Sequence, residues 1–420
     1  MNDWLLDRPA AMGGAEDVGA IPLAQLDPGH PARFQADTIW PVFERLRREA
    51  PVHYTPSSLF GPYWSVTRYR DIVRVETNHA VFSSDAHLGG ISIRDQRAGF
   101  IMPMFIAMDP PRHDAQRAVV SPMAAPANVA RLEAQIRERA AAILDALPRG
   151  ETFDWVERVS VELTTQMLAI LFGFPWEERH KLTRWSDVAT AVPGAGLVAS
   201  EAEREAELLE CLTRFTALWN ERVNAPPRGD LISMMAQAEA TRHMRPMEYL
   251  GNLVLLIVGG NDTTRNSISG GLLALNQNPA EYRKLRENPA LIASMVPEII
   301  RWQTPLAHMR RTAVADAELG GQRIRAGDKV ILWYVSANRD PDLLDDPDSF
   351  RIDRARPKKH FSFGFGIHRC VGERLAEMQL RVVWEEILRR YPVIEVVGEP
   401  RRVFSSFVKG YETLPVRIPA

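Results

Sequence analysis

The sequence predicts a mainly α protein with a smaller β region, an α+β fold, on three observations. Long stretches from Asp109 to about Asn276 carry the apolar spacing of amphipathic helices. Strand-and-turn signals lie on either side of that body, near Val52 and again from Glu318 onward. The chain has 420 residues, 45% apolar and 25% charged, which is ordinary globular composition with ample material for a core.

Taken in order, residues 1–35 are rich in Pro, Gly and Ala and read as an extended, loosely attached lead-in, leaving 36–420 as a single domain. A short helix is expected from near Ile39 to Ala50. Val52-His53-Tyr54 and Tyr63-Trp64-Ser65-Val66-Thr67 flank a Pro/Ser/Gly turn and predict a β-hairpin. The helical stretches that follow are interrupted at Pro126, at Gly173-Phe174-Pro175 and at Pro226-Pro227. Residues Ala189 to Ser200 are small and apolar without a period, so they are expected to bend or move, as a lid does. Within them Gly194-Ala195-Gly196 has the spacing of a dinucleotide loop, but no strand precedes it and Pro193 sits at its entry. Pro246 to about Asn278 reads as one very long helix, roughly 50 Å at about 1.5 Å per residue. After Glu318 come short strands with turns at Gly320-Gly321 and Ala326-Gly327, then a last helix from about Val371.

Composition excludes several function classes. The formal net charge is −2 with both signs mixed along the chain, which favours neither nucleic acid nor a membrane surface. Charges break the opening Met1 to Arg8, which lacks the apolar core of a signal peptide. The apolar run Leu253 to Val258 is far shorter than the roughly 20 residues that span a bilayer. A soluble, cytoplasmic protein without a membrane anchor is expected. Only two cysteines occur, too few for a disulfide framework. Cys211 sits in a helical pattern and is expected to be a buried, inert thiol.

Cys370 is different, because Phe363-Gly364-Phe365-Gly366-Ile367-His368-Arg369-Cys370-Val371-Gly372 places a sulfur after a tight glycine loop and at the start of a helix. The helix dipole and backbone N–H groups are expected to lower its pKa. A single thiolate cannot build a tetrahedral zinc or iron–sulfur site, whereas haem brings four nitrogens and needs only one more ligand. A free cysteine beside a glycine-rich turn is the plain alternative. A second irregularity lies in the long helix, where Gly259-Gly260-Asn261-Asp262-Thr263-Thr264 follows an apolar run and costs helix stability. The glycines would let the backbone kink or widen, and Thr263 and Asp262 are placed to pass protons. A Gly-rich helix crossing with a capped internal break explains the same residues without function.

The loop matches Phe-x-x-Gly-x-His/Arg-x-Cys-x-Gly at every position, and in this the sequence resembles the cytochrome P-450 superfamily. The resemblance runs from the helix near Ile39 to the C-terminus and implies that family's fold, with haem b (iron protoporphyrin IX) between the long helix and the cysteine loop. It implies Cys370 as iron ligand, with Phe363 and Gly259 against the cofactor. Asp262 and Thr263 match the family's acid–threonine pair that helps protonate bound dioxygen. His113 and Arg117, one turn apart after Asp109-Pro110-Pro111, match two propionate contacts, with Asp109 expected to cap that helix. Arg311 and His368 match two more, although spacing leaves open which of Arg310 and Arg311 points inward. Glu298 and Arg301, alone a surface pair worth well under ~1 kcal/mol, match with Arg354 the family's buried structural triad.

The wording of Met104 to Pro111, Ile300 to Leu306, Trp333 to Asp340 and Gly410 to Pro415 resembles the bacterial alkane and fatty-acid terminal hydroxylases. That implies a small hydrophobic substrate, a medium-chain n-alkane, alcohol or fatty acid, oxidised by dioxygen at its end. Met102, Met104, Phe105, Leu256, Val258, Leu306, Met309 and Phe407 are the implied channel residues, with ordinary core packing as the alternative for each. Electrons would come from a ferredoxin and its NAD(P)H-dependent reductase, with Arg112, Lys358, Lys359 and Arg374 as a candidate docking face. A peroxide-driven fatty-acid hydroxylase, a P-450 acting on another small hydrophobic substrate, and a haem sensor or electron carrier are the competing readings.

Overall fold

The structure is a computed structural model and describes residues 17–420. The expected lead-in therefore falls partly outside the described residues, and the part inside them is not loose. Leu26 and Phe34 are buried, Tyr63 donates its hydroxyl to Asp27, and Phe34 of the short helix α1 (Pro31–Gln35) packs on Phe43 and Trp333. A Pro/Gly-rich composition does not by itself prevent docking once a few large apolar side chains find a groove. Helix α2 (Trp40–Glu49) buries Val42, Phe43 and Leu46, one stripe of its surface. The predicted hairpin is present as β1 (Val52–Thr55) and β2 (Tyr63–Val66), antiparallel with Val52 opposite Val66. Helix α3 (Tyr69–Glu76) and the edge strand β3 (Phe82–Ser83) follow.

The helical body then runs through α4 (Arg112–Val120), α5 (Pro126–Asp145), the short strand β4 (Thr152–Asp154), α6 (Glu162–Phe172), α7 (His180–Thr190), α8 (Glu201–Arg222) and α9 (Leu231–Gln237). The breaks coincide with the expected punctuation: Pro126 opens α5, and Gly173, with φ of 59°, closes α6 in the left-handed region. Ser200 caps α8 by accepting from the Glu203 N–H at 3.2 Å, and Asp230 caps α9 from Ser233 at 2.8 Å. Asp109 does not cap α4 as expected. Its carboxylate turns back to accept from the Ser83 hydroxyl at 2.5 Å and the Ser84 N–H at 3.1 Å, tying the helix entry to the sheet instead. Between α7 and α8 the candidate lid is irregular chain.

Helix α10 (Pro246–Gln277), 32 residues long, crosses the middle of the core against α6, α7, α12 (Ile292–Gln303) and α14 (Glu373–Arg390), with α11 (Pro279–Glu287) leading from it to α12. Its helical run is unbroken at Gly259-Gly260, as the reading of one very long helix expects, and the internal break of the alternative reading is absent. Tertiary contacts along the whole helix outweigh the propensity cost of two glycines, of order 1 kcal/mol each. Thr263 and Ser267 send their hydroxyls back to the carbonyls four residues earlier, both at 2.7 Å.

Strands β5 (Met309–Ala313) and β8 (Lys329–Leu332) complete a five-stranded sheet of order β1-β2-β8-β5-β3, in which β2 and β8 are parallel and the other pairs antiparallel. The hairpin of β6 (Ala317–Leu319) and β7 (Gln322–Ile324) and the single turn α13 (Tyr334–Ala337) flank it. The two-residue period of β5 sends Met309 and Arg311 to one face and Arg310 to the other. Arg310 pairs with Asp95 at 2.5 Å, and Arg311 is the one that reaches the central cavity.

Candidate active site

The cysteine loop is held by backbone geometry. Gly364 and Gly366 have φ of 69° and 64°, the left-handed region that side chains avoid, and a Cβ on Gly366 would come 2.7 Å from the Glu76 carbonyl. The Gly364 N–H closes a turn on the Phe361 carbonyl at 2.7 Å, and the Cys370 N–H returns to the Phe363 carbonyl at 2.8 Å. Helix α14 starts three residues after the sulfur. Cys370 lines a cavity whose walls also include Phe363, Gly259, Gly260, Thr263 and Thr264. Its thiol is raised rather than lowered, contrary to expectation: burial pushes it up, and the Gly372 N–H and the positive charges of Arg117 and Arg369 only partly pull it back. Cys211, by contrast, is sealed inside α8, its thiol also raised by burial.

At one edge of the same cavity two guanidiniums and two imidazoles gather. Arg311, fully buried, donates to Glu76 at 2.6 Å and to the Arg310 carbonyl at 2.7 Å, and Glu76 also accepts from the Tyr334 hydroxyl. Arg117 reaches the Arg369 carbonyl at 2.5 Å. His113 and His368 stack edge to face with ring centroids 4.5 Å apart. His113 holds Asp114 through Nδ1 at 2.7 Å, and His368 meets the Ser84 hydroxyl through Nε2 at 3.1 Å. Their other nitrogens, Nε2 of His113 and Nδ1 of His368, are buried with no partner. His368 is driven down to about 2 by burial and then by Arg311, His113 and Arg117. Buried polar atoms of this kind ordinarily find partners. An orphaned imidazole pair beside two guanidiniums and a thiol suits a flat cofactor that carries carboxylates at one edge and accepts a sulfur ligand at its centre. Haem fits that donor set. Gln379, whose Oε1 is also buried and unpaired, lines this cavity and was not anticipated.

Thr263 and Asp262, adjacent in sequence, face different ways. Thr263 lines the cysteine cavity. Asp262 does not: its buried carboxylate accepts from Ser186 at 3.0 Å, Asn261 at 3.1 Å, Arg265 at 3.0 Å and Thr190 at 3.4 Å, with Asp187 also on Arg265 at 2.8 Å. Successive side chains on a helix diverge by about 100°, so an acid next to a cavity-lining threonine meets the neighbouring helix, here α7. Burial raises the Asp262 carboxyl to about 6 in spite of Arg265, with Asp187 adding to the rise.

A second cavity lies directly against the first. It is about 190 Å³ open to the centre of a water-sized sphere, and Ile106, Leu255, Gly259, Leu306 and Met309 line both. Of the anticipated channel residues, Met102, Met104, Val258 and Phe407 line this upper cavity, Leu306 and Met309 the junction, and Phe105 and Leu256 the cysteine cavity. Arg94, Arg97, Thr190 and Arg204, none anticipated, also line the upper cavity. They come from separate parts of the chain, and no local motif marks them. His308 secures two of its loops: buried and held neutral at about 3 by desolvation, it accepts from the Ile93 N–H at 3.1 Å and donates to the Ser406 carbonyl at 2.9 Å.

Glu298, Arg301 and Arg354 do meet, away from the cavity. Arg301 pairs with both Glu298 oxygens at 2.8 Å, Arg354 Nε reaches Glu298 at 3.0 Å, and Arg301 also donates to the carbonyls of Asn338 and Pro347 at 2.8 Å. This arrangement clamps α12 to the chain leading into the cysteine loop. Outside the loop, Lys359 and Arg374 are exposed, whereas Arg112 and Lys358 are engaged with Glu248 and Glu377, both at 2.7 Å.

Comparison with known proteins agrees with this geometry. A profile of the cytochrome P450 family matches residues 201–410. Linalool 8-monooxygenase of Pseudomonas putida is 37% identical over 384 residues, covering 89% of this chain and 94% of its own length. A methyl-branched lipid omega-hydroxylase of Mycobacterium bovis is 34% identical, covering 89% of this chain and 90% of its own. Among solved structures, cytochrome P450-153 from Novosphingobium aromaticivorans superposes with a TM-score of 0.89 at 48% identity, covering 94% of this chain and 99% of that one. CYP153D17 from Sphingomonas sp. PAMC 26605 does so at 0.89 and 49%, covering 95% of this chain and 100% of that one. The family binds haem b through a cysteine thiolate and inserts oxygen with electrons from redox partners. With matches over nearly its full length and a thiol, cation and threonine arrangement suited to that cofactor, this chain belongs to the cytochrome P450 family and is a haem-dependent monooxygenase.

Proposed function

We propose that this monooxygenase hydroxylates medium-chain n-alkanes, alcohols or fatty acids, preferentially at the terminal carbon, with electrons delivered by a ferredoxin and its NAD(P)H-dependent reductase. The observation that carries this reading is the apolar upper cavity that shares Leu306 and Met309 with the cavity lined by Cys370 and Thr263, so that a chain crossing between them would reach the sulfur end first. A chain running down that passage presents its end first, and end-on presentation is what attack at a strong primary C–H bond requires. The 48% and 49% likenesses to the two P450-153 structures, and a relative named as a lipid omega-hydroxylase, support the same assignment.

In this reading Cys370 would hold the haem iron through its sulfur, and Phe363 and Gly259 would line the cofactor's space. His113, Arg117, Arg311 and His368 would hold the propionates. Bound haem supplies the oxygen-activating chemistry. Thr263 holds a hydroxyl at the cavity wall and delivers a proton there, while Asp262 serves from behind, its carboxyl near neutrality and linked through Thr190 to the upper cavity wall. Lys359 and Arg374, with Arg112 and Lys358, form the face toward an acidic electron donor, and the enzyme works in the cytoplasm. Among the described residues no helix is long and apolar enough to cross a membrane.

The test is regiochemical. Purified enzyme with ferredoxin, reductase and NADH is given a series of alkanes, alcohols and fatty acids, and the new hydroxyl is located by mass spectrometry. Terminal products support the assignment, and mainly ring or mid-chain oxidation of other substrates overturns it. Product formed with peroxide alone, at the rate of the ferredoxin system, would favour the peroxide-driven alternative. The likeness to a linalool 8-monooxygenase makes a terpene alcohol the second substrate to try.

A further inference from the structure

The upper cavity is apolar along most of its wall, yet five charged residues line the part that it does not share with the cysteine cavity: Arg94, Asp95, Arg97, Glu201 and Arg204. Two of the five are already committed. Asp95 is held by Arg310 at 2.5 Å and Lys329 at 2.9 Å, and Arg97 is paired with Glu205 at 3.2 Å. The remaining three leave one positive charge over, because two guanidiniums share a single carboxylate. Arg204 meets Glu201 at 2.7 Å, whereas Arg94 is 3.9 Å from it.

Neither guanidinium is satisfied. Arg204 is 6% exposed, and its buried Nε has no partner. Arg94 makes one hydrogen bond, to the Ala191 carbonyl at 3.0 Å, and its other donors have no protein partner among the described residues. Burial and the neighbouring Arg204 depress Arg94 to about 10, Glu201 only partly opposing them. A planar fork with free donors, beside a second cation and at the end of an apolar passage, is the arrangement that binds a carboxylate in two-point fashion.

We infer that Arg94 and Arg204 form an anion-anchoring subsite at the outer end of the substrate cavity, which takes the carboxylate head of a chain-like acid while its apolar tail runs toward Cys370. This inference rests on the terminal-hydroxylation reading and narrows it to acids. The anchor also bears on the lid. Arg94 bonds the Ala191 carbonyl and Arg204 the Ala189 carbonyl at 2.9 Å, both at the end of α7 where the irregular segment to α8 begins. A carboxylate held there joins substrate to the segment that covers it, and Glu201 is the built-in competitor that it must displace.

The experiment compares a charged and a neutral ligand of one length, dodecanoate and dodecanol, by calorimetric titration of the haem-loaded enzyme and of three variants. The parent is expected to prefer the acid by about tenfold. Arg94→Gln is expected to weaken dodecanoate by about tenfold and leave dodecanol within about twofold, and Arg94→Lys to recover part of the loss. Glu201→Gln is expected to tighten dodecanoate several-fold, a gain that a misfolded variant cannot produce. Equal losses for acid and alcohol in Arg94→Gln would show that the arginines serve only to hold the end of α7 and would overturn the anchor. Terminal hydroxylation of both compounds with no acid preference would overturn the anchor alone. Failure of both to bind or to be oxidised at the chain end would overturn the anchor together with the reading beneath it.

Discussion

The two adjoining cavities are built on different principles. The lower one is framed by the long helix α10, the strand β5 and the signature loop before α14, and its polar groups are set by helix and strand periodicity. The upper one is assembled from the loop around residues 89–106, the end of α7 and the turn at Ser405-Ser406-Phe407, with only part of its wall on α10. Rigid elements suit chemistry that every member of a family shares, because reacting groups tolerate little displacement. Loops suit recognition, which has to vary while the chemistry stays. The same division explains where polar atoms are left unpaired. In the lower cavity they surround the space for a fixed prosthetic group, and in the upper one they gather at a single outer corner.

The largest effect is expected from the sulfur. Cys370→Ser should abolish the thiolate-type optical spectrum, including that of the carbon monoxide adduct, and with it all oxygen insertion. An unaltered spectrum would remove the basis for treating the lower cavity as the catalytic one. Arg301→Met comes next, since it removes the two-point partner of the buried Glu298 carboxylate and leaves it only Arg354 and the Arg351 N–H, and should lower stability by about 3 kcal/mol in denaturant unfolding. A change near zero would mean that Arg354 alone carries the clamp. Thr263→Ala should still bind haem and substrate but divert most reducing equivalents to peroxide, measured as product formed per NADH consumed. Full coupling would place the proton route elsewhere.

Smaller effects are expected from the upper cavity and its boundary. Leu306→Phe should narrow the junction and move hydroxylation or chain-length preference without altering the haem spectrum, checked by product distribution. The mildest signal is the titration of Asp262, to be followed by infrared difference spectroscopy against Asp262→Asn, with a midpoint near 6 rather than the ordinary 3.8. Because the folded value is the higher one, the native state keeps a proton in that window that the unfolded chain has lost. The group's contribution to stability should therefore fall as pH rises from 3.8 through about 6. A midpoint near 3.8 would mean that Arg265 dominates over burial.

A glycine-rich turn and a cysteine before a helix are local facts, and each was legible because its physics is local. Hence the Cys370 loop stands where its spacing put it, whereas Arg311 and the Glu298–Arg301–Arg354 cluster were implied by resemblance and resolved only by the fold. What adjacency hid is the turn of about 100° that hands Asp262 to α7 while Thr263 faces the cavity. Asp109 was misassigned as a cap because its carboxylate found donors at the end of β3, in Ser83 and Ser84. Residues 17–35 looked loose from composition and are packed by Leu26 and Phe34.

By itself, then, the order of amino acids determined the α+β class, the long helix, the cysteine loop and the kind of cofactor chemistry they serve, since each follows from periodicity, turn chemistry or ligand type within a short stretch. Only the tertiary structure decided which charges pair, which stay bare and which walls form one passage. Arg94 and Arg204 lie more than a hundred positions apart and meet through a fold whose packing and desolvation no short window of sequence contains.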